Sequence, residues 1–84
     1  MTRAEIIDEL RKTMSEMFEI EPASITLESR LFEDLDLDSI DAIDMAVKLQ
    51  ELTGRRVDET ALRKIRTVED VVDLIERLFA GQDA

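Results

Sequence analysis

The stretch "LFEDLDLDSIDAIDM", residues 31 to 45, gathers five acidic side chains and one serine between Glu33 and Asp41, in a chain with no cysteine and no histidine. Asp38 or Ser39 can accept hydrogen bonds from the free amides of a helix start. Read outward, the pattern predicts helix II over about 39–53, ending at Gly54, a residue suited to the left-handed turn that follows a helix. On a helical wheel Ala42, Met45, Ala46, Leu49 and Leu52 share one side, which is the expected core face. Ile40, Ile43 and Val47 fall almost opposite, within about 60° of one another, in a sector shared with Asp44 and Glu51. A helix that buries one face needs no second apolar stripe. Either this one packs beneath a neighbouring loop, or it is an exposed, carboxylate-edged ridge fit for a partner with basic residues around an apolar contact.

Upstream, Thr2 and Glu5 fit a capping box, and Ile6, Leu10, Met14 and Met17 recur at helical spacing, which predicts helix I over about 3–18. Pro22 disfavours helix at Glu21, and the connection of roughly 20 residues to helix II is long enough to hold a functional loop or a short helical turn. Downstream, Asp58 could cap a short helix III over about 59–65. Thr67 and Asp70 mark the start of helix IV over about 68–79, and the tail "AGQDA" is expected to fray. No repeat and no alternating strand pattern is present. The expectation is a single all-α domain over residues 1–84, a four-helix bundle with a long first loop and a short third helix.

Eleven basic and 21 acidic residues give a net charge of −10, which opposes binding to nucleic acid or an anionic membrane and favours basic partners. Residues 19 to 53 alone carry two basic and ten acidic side chains, a net of −8. No run of apolar residues reaches membrane-spanning length, and the opening "MTRAEIIDEL" lacks a secretion signal, so a cytoplasmic monomer is expected.

The chemistry available at Ser39 is narrow. Asp34, Asp36 and Asp38 alternate as at the start of an EF-hand loop, but counting from Asp34 the sixth position is Ser39 and the twelfth is Met45, where a glycine and a glutamate are required. No metal site is expected. A nucleophilic serine needs a base and oxyanion donors, commonly in a G-x-S-x-G elbow, and none is present, so no catalytic residue is assigned. A diffusing anion would be repelled by Glu33, Asp34, Asp36, Asp38 and Asp41. An anion held at Ser39 is better explained by a covalent bond, made by an enzyme that recognises the surrounding charge.

At "DLDLDSID" the sequence resembles the acyl carrier proteins. Their Asp-Ser-Leu-like tripeptide at the start of helix II, preceded by Asp-Leu-Gly, is matched by Asp38-Ser39-Ile40 after Asp34-Leu35-Asp36, and "RKIRTVEDVVDLIERL" is similar to the family's helix III end and helix IV. The resemblance runs from about Glu5 to Leu78. It implies that Ser39, beside Asp38, carries 4′-phosphopantetheine, installed by a phosphopantetheinyl transferase from coenzyme A. Acyl chains ride on that group as thioesters in fatty acid, specialised lipid or polyketide-like synthesis, and the carrier itself is no enzyme. It further implies that Asp38, Ile40, Asp41, Ile43, Asp44, Val47 and Glu51 meet basic docking surfaces of acyl-loading enzymes, ketosynthases and other acyl-processing enzymes. Phe32, Ala46, Leu49, Val57, Leu62, Ile65, Val71 and Ile75 would line an interior acyl pocket, although ordinary core packing explains them equally well. Asp36 stands where the family has glycine, Thr53 where an aromatic is common, and Arg55 and Arg56 where acidic or neutral residues are frequent, which points to a dedicated pathway. The alternative function is an unmodified acidic adaptor that docks a basic partner through helix II.

Overall fold

Three of the four helices begin with a reciprocal cap, in which the side chain before the helix accepts from a backbone amide three residues on and is answered by a carboxylate from that position. In the computed structural model, which describes residues 2–81, Thr2 and Glu5 do this for α1 (Arg3–Phe18), Asp38 and Asp41 for α2 (Ser39–Thr53), and Thr67 and Asp70 for α4 (Val68–Phe79). The short α3 (Glu59–Lys64) is capped by Asp58, whose side chain accepts from Ala61 N. Gly54 ends α2 with φ of 69°, and its N–H donates to Gln50 O at 2.9 Å. The fold is therefore the expected all-α arrangement of four helices with a short third one, and no strand forms among the described residues. The end of the "AGQDA" tail, residues 82 to 84, lies outside the described residues.

α1 packs mainly on α4, and α2 lies against α4 on one side and α3 on the other. The interior is aliphatic. Leu10 and Met14 of α1, Met45 and Leu49 of α2, and Val71, Val72 and Leu74 of α4 are almost completely withdrawn from solvent. Across the α1–α4 seam the guanidinium of Arg3 reaches three carboxylates of α4, with Nη1 donating to Asp73 at 3.0 Å and to Glu76, and Nη2 lying 3.5 Å from Glu69.

The long connection is ordered by its own hydrogen bonds. It opens with a single 3-10 turn, Pro22–Ser24, and then Ile25, Leu31, Leu35 and Leu37 drop into the core while Asp34, Asp36 and Asp38 stay exposed. Its middle is fastened to the start of α4: Leu31 N donates to Arg66 O at 2.9 Å, Val68 N to Ser29 O at 3.0 Å and Glu69 N to Leu27 O at 3.0 Å, around an isolated bridge between Arg30 and Thr67. The buried Ser29 hydroxyl accepts from Thr26 N and donates to Ser24 O, both at 3.0 Å, so its burial leaves no polar atom unsatisfied.

Leu52 departs from the expected core face of α2: it is 39% exposed, whereas Met45, Ala46 and Leu49 are buried and Ala42 is half-buried. It is the last residue but one of the helix and lies with Thr53 and Phe79 at the rim of a cavity of about 220 Å³ between α1, α2 and α4.

Candidate functional site: a serine at the head of an exposed helical ridge

Ser39 is the first residue of α2 and its side chain is exposed. The reciprocal bonds Asp41 N to Asp38 Oδ1 at 2.9 Å and Asp38 N to Asp41 Oδ2 at 3.1 Å build the helix start without it. Most other hydroxyls are occupied: Thr2 and Thr67 cap helices, Ser15 donates to Ile20 O, Thr26 pairs with Ser29, and Thr53 donates to Leu49 O. Ser39, Ser24 and Thr60 are the exposed hydroxyls without a side-chain hydrogen bond among the described residues. Of these three, Ser39 opens onto a groove of about 580 Å³ between α2 and α3, walled by Phe32, Ala42, Ile43, Ala46, Val47, Gln50, Val57, Leu62 and Arg63.

From Ser39 the apolar ridge runs along α2. Ile40 is 66% exposed, Ile43 57% and Val47 48%, so the loop does not cover them. The three form one contiguous exposed strip and are not scattered singly over the surface.

The acids around the serine differ in how far they are engaged. Arg30 takes up two of them, with its side chain against Glu33 and with Nη2 donating to Asp34 Oδ1 at 3.2 Å. The Arg30 side-chain hydrogen bond, followed by the bond from the Arg30 amide, holds the Asp34 carboxyl below the usual aspartate range. Asp41 is spent on the cap, and Glu51 lies 3.7 Å from Lys48 Nζ. Asp36 and Asp44 have no ion pair or side-chain hydrogen bond among the described residues. Asp44, beside Ile43 and Val47, is thus the acid of the ridge most readily offered to a partner's cation. No group of three acidic side chains converges as metal ligands among the described residues.

The eight residues expected to line one acyl pocket do not share one cavity. Phe32, Ala46, Val57 and Leu62 wall the groove at Ser39, with Phe32 on its rim at 39% exposure; Leu49 and Ile75 face the smaller α1–α2–α4 cavity; Ile65 and Val71 are packed core. Sequence reading missed Gln50 and Arg63 as groove residues. For Gln50 the signal was helical phase, one turn beyond Ala46 and Val47; for Arg63, on a different helix, the sequence held none.

Asp36 has φ of 56°, in the left-handed region where a side chain is strained and glycine is not. Asp36→Gly is expected to raise Tm by a few degrees, because left-handed backbone costs a non-glycine residue about 1 kcal/mol and the change also removes a charge from the acidic cluster. Thermal melts of the two proteins side by side check this, and an unchanged or lower Tm would contradict it. By the same electrostatic argument, raising salt from low to moderate should raise the wild-type Tm, since the net of −8 over residues 19 to 53 repels itself. A flat or falling Tm would show that this repulsion does not limit stability.

The "Phosphopantetheine attachment site" family matches residues 8–75 of the chain. "Acyl carrier protein 2" of Ralstonia nicotianae is 50% identical over 81 residues, covering 96% of this chain and 100% of that protein. The chain belongs to the acyl carrier protein family. Among other carriers, the acyl carrier protein of Coprothermobacter proteolyticus is 40% identical over 76 residues, covering 90% of this chain and 93% of that one. The meromycolate extension acyl carrier protein of Mycobacterium leprae is 36% identical over 78 residues, covering 93% of this chain and 68% of that one. Acyl carrier proteins bear 4′-phosphopantetheine, are activated by a phosphopantetheinyl transferase and work with acyl-processing enzymes; this chain has that carrier role. No helix among the described residues is long and apolar enough to cross a membrane.

Proposed function

We propose that Ser39 is the residue that bears the prosthetic group, and that residues 1–84 form one carrier unit without catalytic activity of its own. The observation that carries this reading is the exposed Ser39 hydroxyl, set where α2 begins, open to the α2–α3 groove and adjacent to the Ile40–Ile43–Val47 ridge. The residues fit the group chemically: the hydroxyl is free of any cap duty, the groove gives an apolar wall, and coenzyme A supplies the donor through a separate transferase. When bound, the group supplies a terminal thiol, absent from the sequence itself, on which acyl chains are held as thioesters. Asp38 fixes the helix start, so that the serine is presented in one orientation.

The ridge is the docking surface for the transferase, for acyl-loading enzymes and for ketosynthases. Ile40, Ile43 and Val47 provide the apolar contact, and Asp41, Asp44 and Glu51, with Asp38, provide the negative border that selects basic surfaces. The protein works as a cytoplasmic monomer and does not bind nucleic acid, in keeping with its net charge of −10. Its pathway builds a dedicated lipid, a reading supported by the departures at Asp36, Thr53, Arg55 and Arg56 and by the meromycolate carrier among its relatives.

The test is intact mass after incubation with coenzyme A and a broad-specificity transferase. The expected result is a gain of one phosphopantetheine. A wild type left unmodified, under conditions that modify another carrier, would overturn the assignment. For the ridge, Ile43→Arg and Asp44→Lys are each expected to lower the kcat/KM of that transferase by about 10- to 100-fold, since charge reversal removes steering and the arginine adds a like charge against a basic surface. Both residues are exposed, so the melting curves should match wild type. Kinetics equal to wild type for both variants would remove the ridge from the docking surface.

A further inference from the structure

A phosphodiester on Ser39 carries a negative charge into the most acidic part of the molecule, among Glu33, Asp34, Asp36, Asp38 and Asp41. The start of α2 offsets part of this through its backbone amides, but Asp41 N is already held by Asp38 Oδ1 at 2.9 Å and Ala42 N by Asp38 O at 3.0 Å. Arg30 and Lys48, the two cations nearest in sequence, are committed to Glu33 and Asp34 and to Glu51 respectively.

The groove supplies what the helix start lacks. Its walls at Ser39 are apolar apart from Gln50 and one cation, Arg63, which α3 contributes from the side opposite α2. Arg63 belongs to a local reversal of sign: Arg63, Lys64 and Arg66 are exposed within four residues, in a protein of net charge −10. Arg63 has a contact within the chain, so an incoming anion joins or replaces an existing partner. A guanidinium suits a diester better than an ammonium does, because its planar fork can meet two phosphate oxygens at once.

Resting on the reading of Ser39 as the attachment residue, we infer that Arg63 is a positioning residue that receives the phosphodiester across the groove and turns the arm toward α3. Ile43 and Val47 wall the groove on its α2 side, so an arm drawn to the α3 side leaves Ile40 and the exposed faces of Ile43 and Val47 uncovered, and one molecule presents its cargo and its docking surface at the same time. The α3 wall takes the former and the outer face of α2 the latter.

The experiment compares unmodified and modified protein for the wild type, Arg63→Gln, Arg63→Lys and Arg56→Gln, the last outside the groove. Intact mass first establishes modification. Two readouts follow: the side-chain Nε–Hε NMR signals of the arginines, and Tm. On modification the Arg63 signal should move while the Arg56 signal stays. The modification should shift Tm about 2 to 4 °C less favourably in Arg63→Gln than in wild type, at low salt, as for a solvent-exposed ion pair in a domain of this size. Arg63→Lys should recover part of the difference, Arg56→Gln should behave as wild type, and 1 M salt should erase the gap. A full mass gain with an unmoved Arg63 signal, or with equal Tm shifts in wild type and Arg63→Gln, overturns the Arg63 assignment and leaves Ser39 standing. No mass gain in the wild type overturns the attachment reading, and the Arg63 assignment with it.

Discussion

Ser39→Ala is expected to abolish the phosphopantetheine mass gain completely, and with it every form of acyl loading, while Tm stays within about 1 °C of the wild type. The two halves of this result come from one piece of geometry. The cap of α2 is made by Asp38 and Asp41, so the serine is the first helical residue and owes nothing to the helix start. Its side chain is exposed and bonds to nothing among the described residues, and alanine is the best helix former at such a position. Asp38→Ala should behave in the opposite way, losing about 1 kcal/mol of helix capping and roughly 4 to 8 °C in Tm. Mass spectrometry and melting curves on the same samples separate the two. A Ser39→Ala protein that still gains the prosthetic group would place attachment elsewhere, and one that unfolds would make its loss of loading uninformative about chemistry. An unmodified adaptor would keep its cellular activity in Ser39→Ala, which a carrier cannot do.

Leu49→Ala is expected to destabilise the unmodified protein by about 3 kcal/mol or more, which for a domain of this length lowers Tm by roughly 15 °C. Leu49 has no exposed surface and projects from α2 toward α1 and α4, at the wall of the cavity that also touches Ile6, Leu10 and Ile75. Truncating it removes buried methyl groups and enlarges a void that packed helices cannot close. The total stability of such a domain is about 4 to 12 kcal/mol, so the loss is a large share of it. Denaturant melts measure this directly. A loss under 1 kcal/mol would mean that Leu49 borders space the protein already leaves loosely filled, as a cargo-lining residue would. Leu62→Ala, at a half-buried groove position, should cost much less.

Local chemistry was the most legible part of this fold. Thr2 with Glu5, Asp38 with Asp41 and Thr67 with Asp70 each sit at the spacing a capping box requires, and a cap is decided by residues three apart. The two stripes of α2 could be drawn on a wheel, but which one met solvent depended on where the loop ran, and that is a tertiary fact. Leu52 misled for this reason: its phase is close to that of Leu49, yet at the end of α2 it lies on the rim of the cavity between α1, α2 and α4 and stays 39% exposed. The acyl-pocket residues were the least legible. Apolar side chains that wall a groove and those that fill a core carry the same pattern, so Val57 and Val71 look alike in sequence and lie in different surroundings. The pairing of Arg30 with Glu33 and Asp34 was within reach of sequence, since the three are neighbours, whereas Arg63 across from Ser39 required the chain to fold first.

The hydrogen bonds that join Leu27, Ser29 and Leu31 to the head of α4 divide the chain between α1 and α2 into two leashes. The first can gain or lose length between Glu19 and Ala23, ahead of the buried Ile25, with little effect beyond that knot, because extra slack in a mostly exposed span changes closure entropy only slowly. The second, residues 32 to 38, is a short tether from a fixed post to Ser39. An insertion there would move Ser39 relative to the rest of the fold, so if the proposed attachment holds, lineages of this protein should tolerate drift in the first leash and hold the second to a constant length.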